Sequence, residues 1–272
     1  MGHLKDVHCY PYSGWFDIPW GLPKPLEQDP TTDELDIDAA ARSSRRVTEA
    51  ISAEISSSNL PAPRSSHRIM LDVYDGPDIS VTAFDQRTYD FGRLQIPRGF
   101  RHFNPDTRAE LLADAVTQHL SDLATLRDWD HSVLSAAVRR ARDSGWAATF
   151  VGSWKRTPDR HSRVRLFGQI HDDGYARWRI GVSDLHTETH LTESDEARGW
   201  TWLKNLKRSA AGARFLDDHR LEVPSGSMFL TETQVVDIRS GTVTADYEVP
   251  PLSYPGDATL EPPRPAIHST IE

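Results

Sequence analysis

Four short clusters carry side chains able to move protons or hold a metal. His171-Asp172-Asp173 and Asp217-Asp218-His219 each set carboxylates beside an imidazole, the pairing that general acid–base catalysis needs. Asp159 and His161 stand in the charged run Trp154-Lys155-Arg156-Thr157-Pro158-Asp159-Arg160-His161. With His171 and Asp172 they make the set that a metal-dependent phosphoester hydrolase or nuclease could use, provided all four converge on one divalent ion. Pro158-Asp159 is similar to the metal-binding aspartate of restriction-type nucleases. That chemistry also needs a second carboxylate and a lysine on the next strand, which here reads Val164-Arg165-Leu166-Phe167-Gly168. In the fourth cluster, His186, Glu188 and His190 could face a metal together from a strand. The zinc-protease pattern is absent, because no glutamate follows the first histidine directly.

Each cluster also has a plain structural account. Asp172-Asp173-Gly174 is what a tight hairpin turn requires, and Pro158-Asp159-Arg160 is turn chemistry as well. The threonines and acids around His186 suit a solvated loop. No nucleophile stands out, since Cys9 is the lone cysteine and Ser225-Gly226-Ser227 is a common loop sequence. Phosphate loops and dinucleotide fingerprints are missing, and no cofactor is expected.

Binding surfaces are more legible than catalytic sets. Residues on either side of Asp172-Asp173-Gly174 alternate, so a hairpin with Gly174 in the left-handed position pairs Ile170 with Ala176, Gly168 with Trp178, Leu166 with Ile180 and Val164 with Val182. The opposite face then gathers Arg163, Arg165, Phe167, Gln169, His171, Tyr175, Arg177 and Arg179. Arginines interleaved with aromatics suit phosphate backbones and stacked bases, unless helices or the chain's own carboxylates cover them. A second surface lies near the start. Trp15, Phe16, Ile18 and Trp20 sit among prolines and demand an apolar partner, either their own domain or another protein.

Composition bounds what these surfaces can serve. The chain has 272 residues, 38% of them hydrophobic, and eight tryptophans, enough for a core without disulfide staples. A single cysteine rules out a disulfide framework and multi-cysteine metal sites. No secretory pattern opens the chain and no run is long enough to cross a bilayer, so the expected setting is the cytoplasm, away from membranes. The net charge is −9, yet residues 135–215 carry fifteen basic and nine acidic side chains. A basic middle therefore sits between acidic ends, and only that middle could attract an acidic partner.

The elements that position these surfaces follow from periodicity. Residues 1–66 form an aromatic, proline-rich arm, a helix from about 36 to 58 with Arg45 and Arg46 exposed, and a linker. Residues 67–145 hold three strands and two helices. Ile69, Leu71 and Val73 alternate, as do Ile79, Val81 and Ala83, and a turn at Asp75-Gly76-Pro77-Asp78 would pair the two runs as a hairpin. Asn104-Pro105 and Asp130 each start a helix. Residues 146–249 hold basic antiparallel strands and one helix from about 195 to 211. Residues 250–272 are an acidic, proline-rich tail. The fold class is α+β, with antiparallel sheets of hairpins packed on three or four helices and extended arms at both ends. Residues 67–249 could close into one domain.

The run from Trp154 through Pro158-Asp159-Arg160-His161 to Asp172-Asp173-Gly174-Tyr175, with residues 177–184 after it, resembles uncharacterised proteins of GC-rich bacteria. The likeness covers about a third of the chain and implies no activity. Arginine far outnumbers lysine, in keeping with such a genome.

These features favour a non-enzymatic cytoplasmic binding protein, an accessory, structural or toxin-neutralising factor that grips another protein through Trp15, Phe16, Ile18 and Trp20. The alternatives are the metal-dependent hydrolase and a nucleic-acid-binding protein that uses the arginine-rich hairpin face.

Overall fold

The structure is a computed structural model that describes residues 3–11, 16–17, 22–23, 32–61, 68–76, 80–84, 90–199, 202–224, 233–245, 251–252 and 264–265. The chain is α+β. It divides into two compact units, one holding residues up to Ala148 with the turn Asp172–Gly174, the other holding Thr149–His171 and the chain from Tyr175 to Pro251.

The first unit opens with β1 (Asp6–Pro11), the two-residue strands β2 (Phe16–Asp17) and β3 (Leu22–Pro23), and helix α1 (Thr32–Ser56). It continues with β4 (Arg68–Gly76), β5 (Ser80–Phe84), β6 (Asp90–Pro97), α2 (Pro105–Arg127) and α3 (His131–Asp143). The sheet order is β1-β4-β6-β5. The beginning of the expected arm is thus a strand: β1 runs parallel to β4, and Leu4 and Val7 are fully buried. Parallel neighbours need a long crossover, and α1 supplies it.

The expected hairpin between the two alternating runs does not form. β4 and β5 are separated by β6, with Val73 opposite Leu94 on one side and Val81 opposite Leu94 on the other. Alternation fixes which side chains face inward, and Ile69, Leu71 and Val73 are all fully buried as expected. It does not fix which strand lies alongside, so inserting β6 preserves the apolar face.

Helix α1 differs from a simple amphipathic helix. Asp36, Asp38, Arg42 and Arg45 are all buried, so Arg45 is not the exposed residue that the periodicity suggests, and Arg46 is only partly exposed. These charges have partners, one within the helix and others distant in sequence. Arg42 lies 3.1 Å from Asp38 one turn away, and Asp36 accepts backbone N–H groups from Gly99 (2.6 Å) and Arg101 (3.1 Å). Asn104 caps α2 by accepting the Thr107 N–H, with Pro105 in the first turn, and Asp130 caps α3 by accepting the Ser132 N–H.

The second unit contains β7 (Thr149–Val151), β8 (Lys155–Arg156), β9 (Ser162–Ile170), β10 (Ala176–Asp184), β11 (His190–Glu193), β12 (Ala197–Gly199), α4 (Leu203–Gly212), β13 (Arg214–Phe215), β14 (Arg220–Pro224), β15 (Thr233–Asp237) and β16 (Val243–Ala245). One sheet runs β11-β10-β9-β7, with β12 on β10 and β8 on β9; another runs β13-β14-β15-β16. The hairpin register is the expected one throughout, from Ile170 opposite Ala176 to Val164 opposite Val182, with Gly174 at φ 77°.

Helix α4 begins at Leu203 rather than near residue 195, because Ala197–Gly199 pairs with β10 instead. Trp202, Leu203 and Leu206 turn inward as their spacing requires. The helix ends on a lysine: Lys155 Nζ donates to the carbonyls of Ala211 (3.0 Å) and Ala213 (2.6 Å), placing a cation at the negative pole of the helix.

Candidate functional site: the open face of the second unit's sheet

Directly opposed residues of antiparallel strands point to the same side, so the register places side chains without ambiguity. Val151, Phe167 and Arg179 form one row across β7, β9 and β10; Thr149, Gln169 and Arg177 form the next. Arg165 and Arg163 continue the face along β9, and Arg156 joins it opposite Arg163. The core side of the same strands carries Val164, Leu166, Ile170, Trp178, Ile180 and Val182, all buried. Burying that side is what turns the arginines outward.

The two rows, with Glu196, line a groove of about 500 Å³. Its size suits a peptide side chain or a small ligand. Val151 is 60% exposed at its rim. Tyr175, expected on this face, is buried, and the aromatic side chain that the register places here is Phe167.

Carboxylates within the unit match most of the arginines. Arg163 lies 2.9 Å from Glu188, Arg177 lies 3.8 Å from Glu196, and Arg179 reaches both Glu193 and Glu196 at 3.5 Å. The matching acids stand on and around β11 and β12, next to the arginines, rather than at the chain's ends. Arg165 has no such partner among the described residues. Its guanidinium and that of Arg163 each stack on Trp154, both 4.5 Å from the ring centroid. Trp154 was not expected in this surface. The signal available was an aromatic side chain directly before the basic pair Lys155-Arg156, with nothing in the sequence to say which way it folds.

The catalytic candidates are not brought together. Asp159 and His161 precede β9 and His171 follows it, so the length of a nine-residue strand, roughly 30 Å, separates the pairs. Asp159 serves its own turn, accepting from the Thr157 hydroxyl (2.6 Å) and the His161 N–H (3.0 Å). These bonds, the Thr157 hydroxyl foremost, hold its carboxyl below the usual range. Asp172 pairs with Arg108, and His171 lies 3.1 Å from the Gln169 amide.

The other clusters resolve in the same way. Glu188 is occupied by Arg163, while Asp184 organises the His186 loop by accepting the His186 and Thr187 N–H groups. His186 and His190 are exposed. Asp217 accepts the His219 and Arg220 N–H groups and the Arg220 side chain, which keeps it strongly ionised, the His219 N–H contributing most. Among the described residues no group of three or more His, Cys, Asp or Glu side chains could hold a metal ion. Trp15, Ile18 and Trp20 lie outside the described residues; Phe16 falls in β2, and its side chain is likewise not described.

No protein-family model, no curated protein and no solved structure matches the chain. No helix among the described residues is long and apolar enough to cross a membrane.

Proposed function

We propose that the chain is a non-enzymatic protein-binding factor of the cytoplasm, and that the face built on β7, β9 and β10 is a recognition surface. The observation that carries this reading is the charge matching of that face. Glu188, Glu193 and Glu196 neutralise Arg163, Arg177 and Arg179, while Val151 and Phe167 remain accessible between them. A phosphate backbone draws its affinity from unmatched cations. A surface that mixes apolar side chains with compensated arginines resembles a protein interface instead. The aromatic segment holding Trp15, Phe16, Ile18 and Trp20 supplies a second contact in this reading.

One observation favours nucleic acid as a second reading. Arg165, held on the Trp154 ring, offers a guanidinium without a carboxylate partner among the described residues, a plane on which a base can stack.

The test is affinity capture from the native host with four baits: the wild-type chain, Phe167→Asp, Arg165→Glu, and Trp15→Ala combined with Trp20→Ala. Deleting residues 1–34 is not an alternative, because it removes β1 with the buried Leu4 and Val7. A protein partner that resists nuclease treatment and is lost from Phe167→Asp supports the reading. Capture of nucleic acid alone, weakened by Arg165→Glu and falling steeply with salt, moves the assignment to the second reading. A catch unchanged by every substitution ends both.

A further inference from the structure

Among the described residues the β11-β10-β9-β7 sheet of the second unit has an open edge at β7. Gly152 donates its N–H to the Leu166 carbonyl at 2.7 Å, in register with Phe150 opposite Gly168. Bonded and non-bonded pairs alternate along an antiparallel ladder. Phe150–Gly168 is therefore a bonded pair, while Thr149–Gln169 and Val151–Phe167 are not. The N–H and C=O groups of Thr149 and Val151 consequently point away from β9. β7 is the last strand in the sheet order, and among the described residues these outward groups have no backbone partner. Edge strands are commonly guarded by charge, proline or a covering element, and Thr149-Phe150-Val151 has neither charge nor proline, with Thr149 and Val151 exposed.

The surroundings of this edge select for charge. Arg156 and Arg165 share the groove face with Val151, and neither has a carboxylate partner among the described residues. They contrast with Arg163, Arg177 and Arg179 on the same face, each matched by a carboxylate. The apolar row of Val151 and Phe167 thus continues along β9 into the unmatched Arg165, with the unmatched Arg156 beyond it, opposite Arg163.

We propose that β7 accepts an extended acidic segment of a partner protein by strand addition. The segment hydrogen-bonds to the outward backbone groups of Thr149 and Val151, lays an apolar side chain on Val151 and Phe167, and sets carboxylates beside Arg156 and Arg165. Main-chain bonds of this kind give affinity, and the alternate side chains give specificity. The inference rests on the protein-binding reading of this face and adds the partner's conformation and charge.

The test uses the full chain and a fluorescein-labelled octapeptide, Val-Thr-Val-Thr-Glu-Thr-Glu-Thr, whose Val and Glu side chains share one face when extended, followed by fluorescence anisotropy. Three comparison peptides replace both Glu by Lys, N-methylate the Val and Glu amides, or replace both Val by Pro. Saturable binding of the acidic peptide is expected, with each comparison peptide at least tenfold weaker. Val151→Pro should weaken binding to the same extent, since it removes an outward N–H without touching a β7–β9 bond. Arg165→Glu should do likewise.

Equal binding of the N-methylated peptide overturns strand addition whether or not the Val151→Pro chain folds. If binding then still depends on Phe167, tested with Phe167→Ala, the protein-binding face stands and only the mode of docking is lost. Indifference to every variant and every peptide removes both. A concentration-dependent dimer in light scattering that Val151→Pro dissolves assigns the edge to a second copy of the chain and overturns the acidic-segment proposal.

Discussion

Gly92 on β6 and His119 on α2 are in direct contact: a Cβ at position 92 would lie 2.4 Å from His119 Cε1 and 2.8 Å from Nδ1. His119 is fully buried on the same helix as the core residues Leu112, Val116, Leu120 and Leu123. Among the described residues neither of its ring nitrogens has a hydrogen-bond partner. An imidazole seated this way is stable only when neutral.

That state makes the first unit sensitive to mild acid. Burial, only partly offset by the Asp122 carboxylate, lowers the His119 pKa from 6.5 to about 4. Between those values the unfolded chain binds the proton and the folded chain does not. The contribution of His119 is therefore fully present above about pH 6.5 and is lost as pH falls towards about 4, by roughly 3 kcal/mol at most. Urea unfolding of wild type and His119→Leu between pH 7.5 and 4.5 checks this. The wild type should lose stability across the window, and the variant should lose markedly less. Parallel curves would show that another group governs the acid limb.

The glycine in this pair is as constrained as the histidine. A methyl group at position 92 also meets Leu71 Cδ2 at 2.7 Å, so two packed side chains must shift to admit it. Gly92→Ala should cost about 1–3 kcal/mol despite the better strand propensity of alanine. Combined with His119→Ala, most of that cost should disappear, because the cavity left by the ring takes the methyl group. A double mutant whose losses simply add would show that the two sites do not share this space.

Two residues mark the limits of what the sequence makes legible. Gly174 announces a left-handed turn and the alternation on either side of it fixes the register, so the β9–β10 hairpin and the outward Arg163, Arg165 and Arg179 follow from local information, whereas Arg177, on the same side of the sheet, is buried. Leu94 does not announce that it lies between Val73 and Val81, because strand order depends on contacts distant in sequence. The same limit applies to Asp36 and Arg45, which look like solvent-facing helix residues until their partners near residues 99–101 and 174 are known. Tyr175, just before β10, is buried, since alternation predicts a side of the sheet and says nothing of what covers it.

Asp36 tests how much such a hidden polar contact contributes. Its carboxylate is fully buried, takes two backbone N–H groups and lies 3.6 Å from the Arg101 guanidinium. Asp36→Ala leaves those donors and a largely buried cation unanswered, which should destabilise by about 3–5 kcal/mol. Asp36→Asn should cost less, since its amide oxygen still accepts. Chemical denaturation resolves the difference; a loss below about 1 kcal/mol for Asp36→Ala would mean that the donors find other partners or water.

Asp159 distinguishes a turn residue from a metal ligand. Its carboxylate accepts from Thr157 and His161 within one turn, and the other candidate ligands lie at the far end of β9. The amide oxygen of an asparagine can accept the same bonds, so Asp159→Asn should leave Tm almost unchanged, whereas Asp159→Ala should lower it by a few degrees. Because the carboxyl titrates below its usual range, whatever small stability the wild type holds over Asp159→Asn is present at neutral pH and should be lost in acid, as the pH falls through the folded-state value. Manganese or magnesium should shift none of the three melting curves. A metal-induced rise in the wild type that is absent from Asp159→Asn would show that the turn holds a cation after all, and would return the hydrolase to consideration.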